Sequence, residues 1–304
     1  CGVVARLAAG DTACGTVRES GASKEIKSMK KMLALPLILA MIFSMTACGE
    51  KSSVVTTVEN GEEVYILKMS STVNEDHLVT KTDRYFIQRV EELSNGRLKI
   101  ELYPNNQLGD PRSMLEATSM GNLDICDVGL PQYSYYTNAL KFFNLPFLWE
   151  TRDAAFSFLD TDAGEDIRRQ VEEDVGVHIL GFQDNGFFGF TSNKLMETPA
   201  DVRGFKVRCQ ESDILLQIWS DLGASPMPMS FSEVYTALQQ GAIDGQMNAY
   251  ITNYNSGYYE VQQYFHKLGL LYDMMVVGIS MESYNALPED LQAVLDQAGQ
   301  EMQE

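Results

Sequence analysis

A two-lobed α/β chain is the fold class this sequence predicts. Three observations lead there. Residues 64–128 alternate strand-like and helix-like patterns in the order β-α-β-α-β, and the same alternation returns after residue 152. Strands that alternate with amphipathic helices are the mark of an α/β domain. The first ~60 residues lack such patterning, and the ~240 that follow suffice for one large domain or two of ordinary size.

The elements follow in order. Val64 to Met69 reads as a first strand. A helix follows with Leu78, Phe86, Ile87, Val90 and Leu93 on one face, and Asn95-Gly96 stops it. Arg97 to Tyr103 alternates polar and apolar residues, as a half-buried strand does. Asp110-Pro111 supplies an N-cap and a first-turn proline to a helix that stops at Gly121. Leu123 to Val128 is a short strand. Residues 152–174 read as one helix ended by Gly176, and Val177 to Phe182 as a strand. After a turn-like 199–204 come a strand from Phe205 to Arg208 and a helix over 212–222. Ser230-Phe-Ser-Glu233 has the form of a capping box opening a helix that stops at Gly241. Met274 to Ser280 is a strand, and Pro288-Glu-Asp290 starts a helix with Leu291, Val294, Leu295, Ala298 and Met302 on one face. The chain stops inside that helix without a capping signal, which gives the expectation of a truncated C-terminus.

The N-terminal segment carries targeting signals. Met29-Lys30-Lys31-Met32 is a positive n-region, and Leu33 to Met45 is an apolar run interrupted by Pro36 and Ser44. The run falls short of the ~20 residues that span a bilayer and suits a signal-peptide h-region. Met45-Thr46-Ala47-Cys48-Gly49 resembles a bacterial lipobox, with Met where Leu is usual. It implies cleavage before Cys48 and a diacylglyceryl thioether on that cysteine. One lipid chain binds a membrane marginally, whereas two anchor it stably. The expected organisation is an upstream non-native segment over 1–28, a lipoprotein signal peptide over 29–47 and a flexible tether over 48–62. Lobe I then spans 63–185, lobe II spans 186–273, and 274–304 returns to lobe I and starts a long bridging helix.

Composition narrows the function. The net charge of -19 argues against nucleic acid, whose binding is dominated by phosphate neutralisation. Cys126 and Cys209 read as small buried hydrophobes, and Trp149 and Trp219 as packing residues. His77, His178 and His266 are scattered, and no Walker, GxGxxG, HExxH or GxSxG motif is present. No cofactor or metal is expected. Acidic residues are so many that a glycosidase-type carboxylate pair is left open by spacing alone.

One set of motifs is specific. Gly204-Phe-Lys-Val-Arg208, the stretch from Leu222 through Ser230-Phe-Ser-Glu-Val-Tyr235 to Gln239, and Gly241-Ala-Ile-Asp-Gly-Gln-Met-Asn248 together resemble the DctP family. These are the substrate-binding subunits of TRAP (tripartite ATP-independent periplasmic) transporters. Tyr103 to Asp110, Leu145-Pro-Phe147 and Leu287 to Leu291 fit as well, so the resemblance covers roughly 64–304. It implies a bilobal, periplasmic-binding-protein-like α/β fold with a ligand cleft between the lobes. It also implies delivery of a small organic acid to a permease driven by an ion gradient, with no catalysis. By the same resemblance, the family's final lobe segment and last helix are missing. The protein is expected to be a lipid-anchored, extracytoplasmic monomer. The alternatives are a binding protein for another transporter class or a sensor, or an exported hydrolase.

The resemblance also assigns site residues. Arg208 matches the family's principal carboxylate-binding arginine, whose planar fork suits a carboxylate and cannot lose its charge. It is expected to stand exposed in an open cleft. Asn248 matches a ligand-contacting asparagine, with Gln246 as second choice, Phe231 a cleft aromatic, and Thr72 a contact position. Phe188 stands where the family often has a second arginine. With Phe187 and Phe190 it could present an apolar or stacking wall, which favours a monocarboxylate or an acid with an apolar or ring-bearing tail over a sugar acid. Asp76 with His77, and Asp110, read first as helix caps and second as lining. Gln132, with Tyr133, Tyr135 and Tyr136, lies at a strand's C-terminal edge, where α/β sheets meet ligands.

Overall fold

Strand β2 (Glu62–Ser71) organises the first lobe, because three neighbours pair with it. The structure, a computed structural model, describes residues 54–59 and 61–304. The signal peptide, the upstream segment and Cys48 lie outside the described residues. The tether expected through Glu62 differs from Val55 onward. Val55–Glu59 forms strand β1, antiparallel to β2, because the run Val-Val-Thr-Thr-Val is β-branched and Gly61 supplies the positive φ of the turn.

β3 (Leu98–Tyr103) and β4 (Ile125–Gly129) run parallel to β2, and β1 and β4 share the edge opposite β3. β4 then pairs antiparallel with β9 (Tyr264–Ser280), and β9 with β5 (Val177–Ser192). Helices cover both faces. On one, Phe86 and Val90 of α1 (Leu78–Leu93) and Leu291, Leu295 and Met302 of α10 (Glu289–Gln303) pack on Leu67, Ile125 and Ile279. On the other, α2 (Pro111–Ser119), α3 (Leu130–Tyr133), α4 (Arg152–Leu159) and α5 (Asp162–Val175) cover Cys126, Val128, Phe182 and Val276.

β5 and β9 run on into the second lobe. There β5 pairs with β8 (Gly245–Ala249), which pairs with β6 (Lys206–Cys209), which pairs with β7 (Ser225–Pro228). Gly245 must lack a Cβ, since one would stand 1.9 Å from the Thr191 carbonyl oxygen. The lobe's core joins Phe188, Phe190, Val207, Leu215, Trp219 and Met247. α6 (Asp213–Asp221), α7 (Val234–Gln239) and α8 (Tyr250–Asn255) complete it, and α9 (Met281–Asn285) links β9 to α10. Among the described residues no helix is long and apolar enough to cross a membrane.

Several local expectations change. The helix over 152–174 is two helices, because the Thr161 hydroxyl caps α5 by accepting from the Gly164 N–H. Gly164 also lies against the Leu159 carbonyl, leaving no room for a side chain. Leu78 is exposed, and the buried face of α1 runs instead through Val79, Asp83, Phe86 and Val90. The capping box at Ser230 does not form. Its hydroxyl meets that of Ser232, and Phe231–Glu233 makes a 3-10 turn ahead of α7. Finally, β5 runs 16 residues and continues to Ser192, well past the expected end at Phe182, so the expected lobe boundary at 185/186 falls inside a continuous strand. Register shifts against β9 at Ile179/Gly181, Asp184/Gly186 and Phe187/Gly189 bend it there, as bulges do.

Candidate ligand-binding cleft

A cavity of about 310 Å³ opens between residues of both lobes. Arg208, Asn248 and Phe231 reach it from lobe II, Thr72 and Gln132 from lobe I. All five are among the sequence-predicted residues.

Arg208 comes from β6, level with Met227 of β7 and Gln246 of β8. It is 2% exposed, not open to solvent as expected, because the chain after β7 folds over it. Its Nε and Nη2 donate to the Met229 carbonyl at 3.0 and 2.8 Å. Nη1 is enclosed and has no partner, and Arg208 forms no ion pair among the described residues. Burial lowers its pKa from the ordinary arginine value, but a guanidinium stays charged. A buried cation without a counter-ion is costly, so this end of the cavity favours an anion. Two donors are clamped, which leaves the Nη1/Nη2 end of the fork for a carboxylate.

Asn248 is the penultimate residue of β8. Its Oδ1 accepts from the Ala249 N–H at 3.0 Å, which leaves its NH2 group without a partner among the described residues. Phe231 packs on Val73, Val79 and Met275, so an aromatic of lobe II rests on lobe I. Arg112 of α2 meets Glu211 of lobe II at 3.5 Å across the cleft. Asp110, also on the wall, caps α2 by accepting from the Arg112 and Ser113 N–H groups.

Three predicted residues do not line the cavity. Phe188 is buried in the lobe II core opposite Ala249, because the alternation of β5 turns it away from the cleft. Phe187 packs edge-on against Tyr272, and Phe190 also belongs to that core, so no phenylalanine wall forms from β5. Gln246 is fully buried behind the wall, donating to Asn253 and to Thr191. Asp76 sits exposed in the turn before α1. The N-cap is His77, whose Nδ1 accepts from the Val79 N–H. Tyr133 lies in the lobe I core, and Tyr135 stacks under Arg112 at 4.8 Å. His178 bridges Glu172 and Asp296 at the surface of lobe I, away from the cleft.

Sequence reasoning missed Asn185, Thr252 and Asp273 on the wall. Asn185 Nδ2 donates to Asp273 Oδ2 at 2.6 Å, and Thr252 donates to Asn185 Oδ1 at 3.2 Å. Burial pushes the Asp273 carboxyl up to about 7, against the hydrogen bonds from Asn185 and the Met274 N–H. The available signal was a lone acid in the apolar run of β9, which is costly unless it is partnered or used. Asp83 of α1 and Asp127 of β4 are also fully buried. Gln183 donates to Asp83 at 2.6 Å and Ser71 to Asp127 at 3.3 Å. Burial raises both carboxyls, Asp83 to about 7, and their mutual repulsion lifts Asp127 further.

The family model described as "Bacterial extracellular solute-binding protein, family 7" (DctP) matches residues 69–304. A C4-dicarboxylate-binding periplasmic protein of Vibrio cholerae is 33% identical over 260 residues, 84% of this chain and 76% of the relative. Among solved structures, a TRAP periplasmic solute-binding protein of Roseobacter denitrificans with bound L-galactonate superposes with a TM-score of 0.76. It is 28% identical and covers 78% of this chain and 79% of its own. One from Sulfurospirillum deleyianum with bound succinate gives 0.74 at 30% identity, covering 78% and 77%.

Proposed function

Because the chain belongs to the DctP family of bacterial extracellular solute-binding proteins, we propose that it captures a small carboxylate-bearing molecule through Arg208 and delivers it to a TRAP-type permease. It acts outside the cytoplasm, tethered by lipid on Cys48, and returns its ligand chemically unchanged. One observation carries the reading of the site: a buried guanidinium on the cavity wall with Nη1 unpartnered and no ion pair to a carboxylate among the described residues. A ligand carboxylate bound end-on to Nη1 and Nη2, with the Asn248 NH2 beside it, satisfies both groups. The Met229 carbonyl holds the fork in place, so little orientation is lost on binding. Excluding water as the lobes close strengthens the ion pair.

The test is titration calorimetry of the purified protein against a panel of organic acids. Arg208→Ala is expected to weaken the best ligand by about 2–5 kcal/mol, since a ligand charge is left unpaired. Arg208→Lys, which keeps the charge but loses the fork, should fall between. Undiminished affinity in both variants sinks the assignment. Mass spectrometry of the recovered ligand separates binding from turnover, and any converted product overturns the non-catalytic reading.

A further inference from the structure

The charges on the cavity wall are unequal. Arg112 already faces Glu211, and Asp110 is committed to capping α2. Arg208 is therefore the one cation of the wall without a carboxylate partner, while Glu233 adds negative charge and Asp273 does so once ionised, above about pH 7. A ligand with one carboxylate finds its counter-ion. A second carboxylate finds none.

Asp273 is also the end of a polarised chain of hydrogen bonds. The Val79 N–H can only donate, so it makes His77 Nδ1 the acceptor at 3.2 Å and leaves the proton on Nε2. Burial pulls the His77 pKa down to about 4, so the ring is neutral. His77 Nε2 then donates to Thr252 Oγ1 at 3.3 Å, and Thr252 to Asn185 Oδ1 at 3.2 Å. The Asn185 amide is thereby fixed with its NH2 toward Asp273 Oδ2, at 2.6 Å. Every link is buried. The chain starts on α1, crosses through α8 and ends on β9, so its donors all run one way and terminate on a carboxylate that, when ionised, only accepts. Met274 adds a backbone N–H to the same carboxylate.

We propose that Asp273, held by this chain, sets the ligand class: it accepts a hydroxyl and refuses a second carboxylate, so that the ligand is a hydroxylated monocarboxylate. The inference rests on the reading of Arg208 as the carboxylate anchor. It replaces the apolar or ring-bearing tail expected from Phe188, which the fold removes from the cavity. Thr72 and Gln132 on the same wall suit a ligand rich in hydroxyls.

The experiment is calorimetry of the purified protein at pH 8 with four probes: L-galactonate, L-gulonate and D-erythronate as hydroxylated monocarboxylates, and succinate as a dicarboxylate. At least one of the first three is expected to bind tenfold or more tighter than succinate. Asp273→Asn, of the same shape, should narrow that ratio at least tenfold by admitting succinate, whereas Arg208→Ala should weaken all probes alike. Succinate binding as well as the best hydroxy acid, or none of the three hydroxy acids binding, overturns the proposal. The wild-type comparison stands even where the Asp273 variant fails to fold. The Arg208 reading is judged separately: it falls only if Arg208→Ala leaves affinity for the bound acids intact.

Discussion

At the residue scale, burial of charge is the dominant theme. Asp83, Asp127 and Asp273 lie in the interior with carboxyls raised above the ordinary carboxylate value. A raised carboxyl binds its proton more tightly folded than unfolded. Its contribution is fully present below the unfolded pKa and is lost as pH rises through the folded one, about 7 for Asp83. His178 acts in the same direction. Although burial opposes it, hydrogen bonds donated by its ring to Asp296 and Glu172 raise its pKa, so its stabilisation also fades as pH rises through the raised value. The melting temperature is therefore expected to fall between pH 6 and pH 8. Asp83→Asn should flatten that slope, and an unchanged slope in the variant would show the carboxyl pair is not its source. Arg208 and Asn248 were legible because a motif frames them in sequence. Asp273 and Asn185 were not, since their pairing spans 88 residues and only the folded sheet brings them together.

At the element scale, the periods and caps in the sequence account for most of what formed. Asp110 and Pro111 start α2 as the pattern predicts, and α10 buries Leu291, Leu295, Ala298 and Met302. The failures share a cause: the local signal competed with a tertiary contact. α5 begins afresh at Thr161 where one long helix was expected, and its cap can be weighed. Thr161→Ala should cost about 1 kcal/mol in a denaturant titration. Gly164→Ala should cost more, since the added Cβ would meet the Leu159 carbonyl oxygen at 2.2 Å. If the two variants are equally stable, close packing between α4 and α5 is not what breaks the helix. β1 escaped notice because a β-branched stretch in a polar surrounding reads as tether until β2 is there to pair with it.

At the scale of the whole molecule, both lobes contribute to one cavity, and specific contacts join them. Phe231 rests on Val73 and Met275, Arg112 meets Glu211, and His77 meets Thr252. Each joins an element of one lobe to an element of the other. Phe231→Ala removes the apolar member of this set. It is expected to leave the melting temperature nearly unchanged while weakening ligand several-fold, read by calorimetry with small-angle scattering to follow closure. Equal affinity would mean that the aromatic contributes nothing to closing. The two-lobed class was legible from the order of elements. The path of the chain between lobes was not, because residues 183–192 are rich in Gly and Phe and carry no simple alternation.

That path has a mechanical consequence. The chain enters lobe II along β5 and leaves along β9, and the two strands are zipped to each other from Val177–Ser280 to Ser192–Tyr264. Lobe II is thus an excursion whose way out is sewn to its way in. Cutting it need not release it. A single proteolytic nick in the surface stretch 193–204 should leave two fragments that travel together through gel filtration and part only in denaturant, and the nicked protein should still melt as one unit.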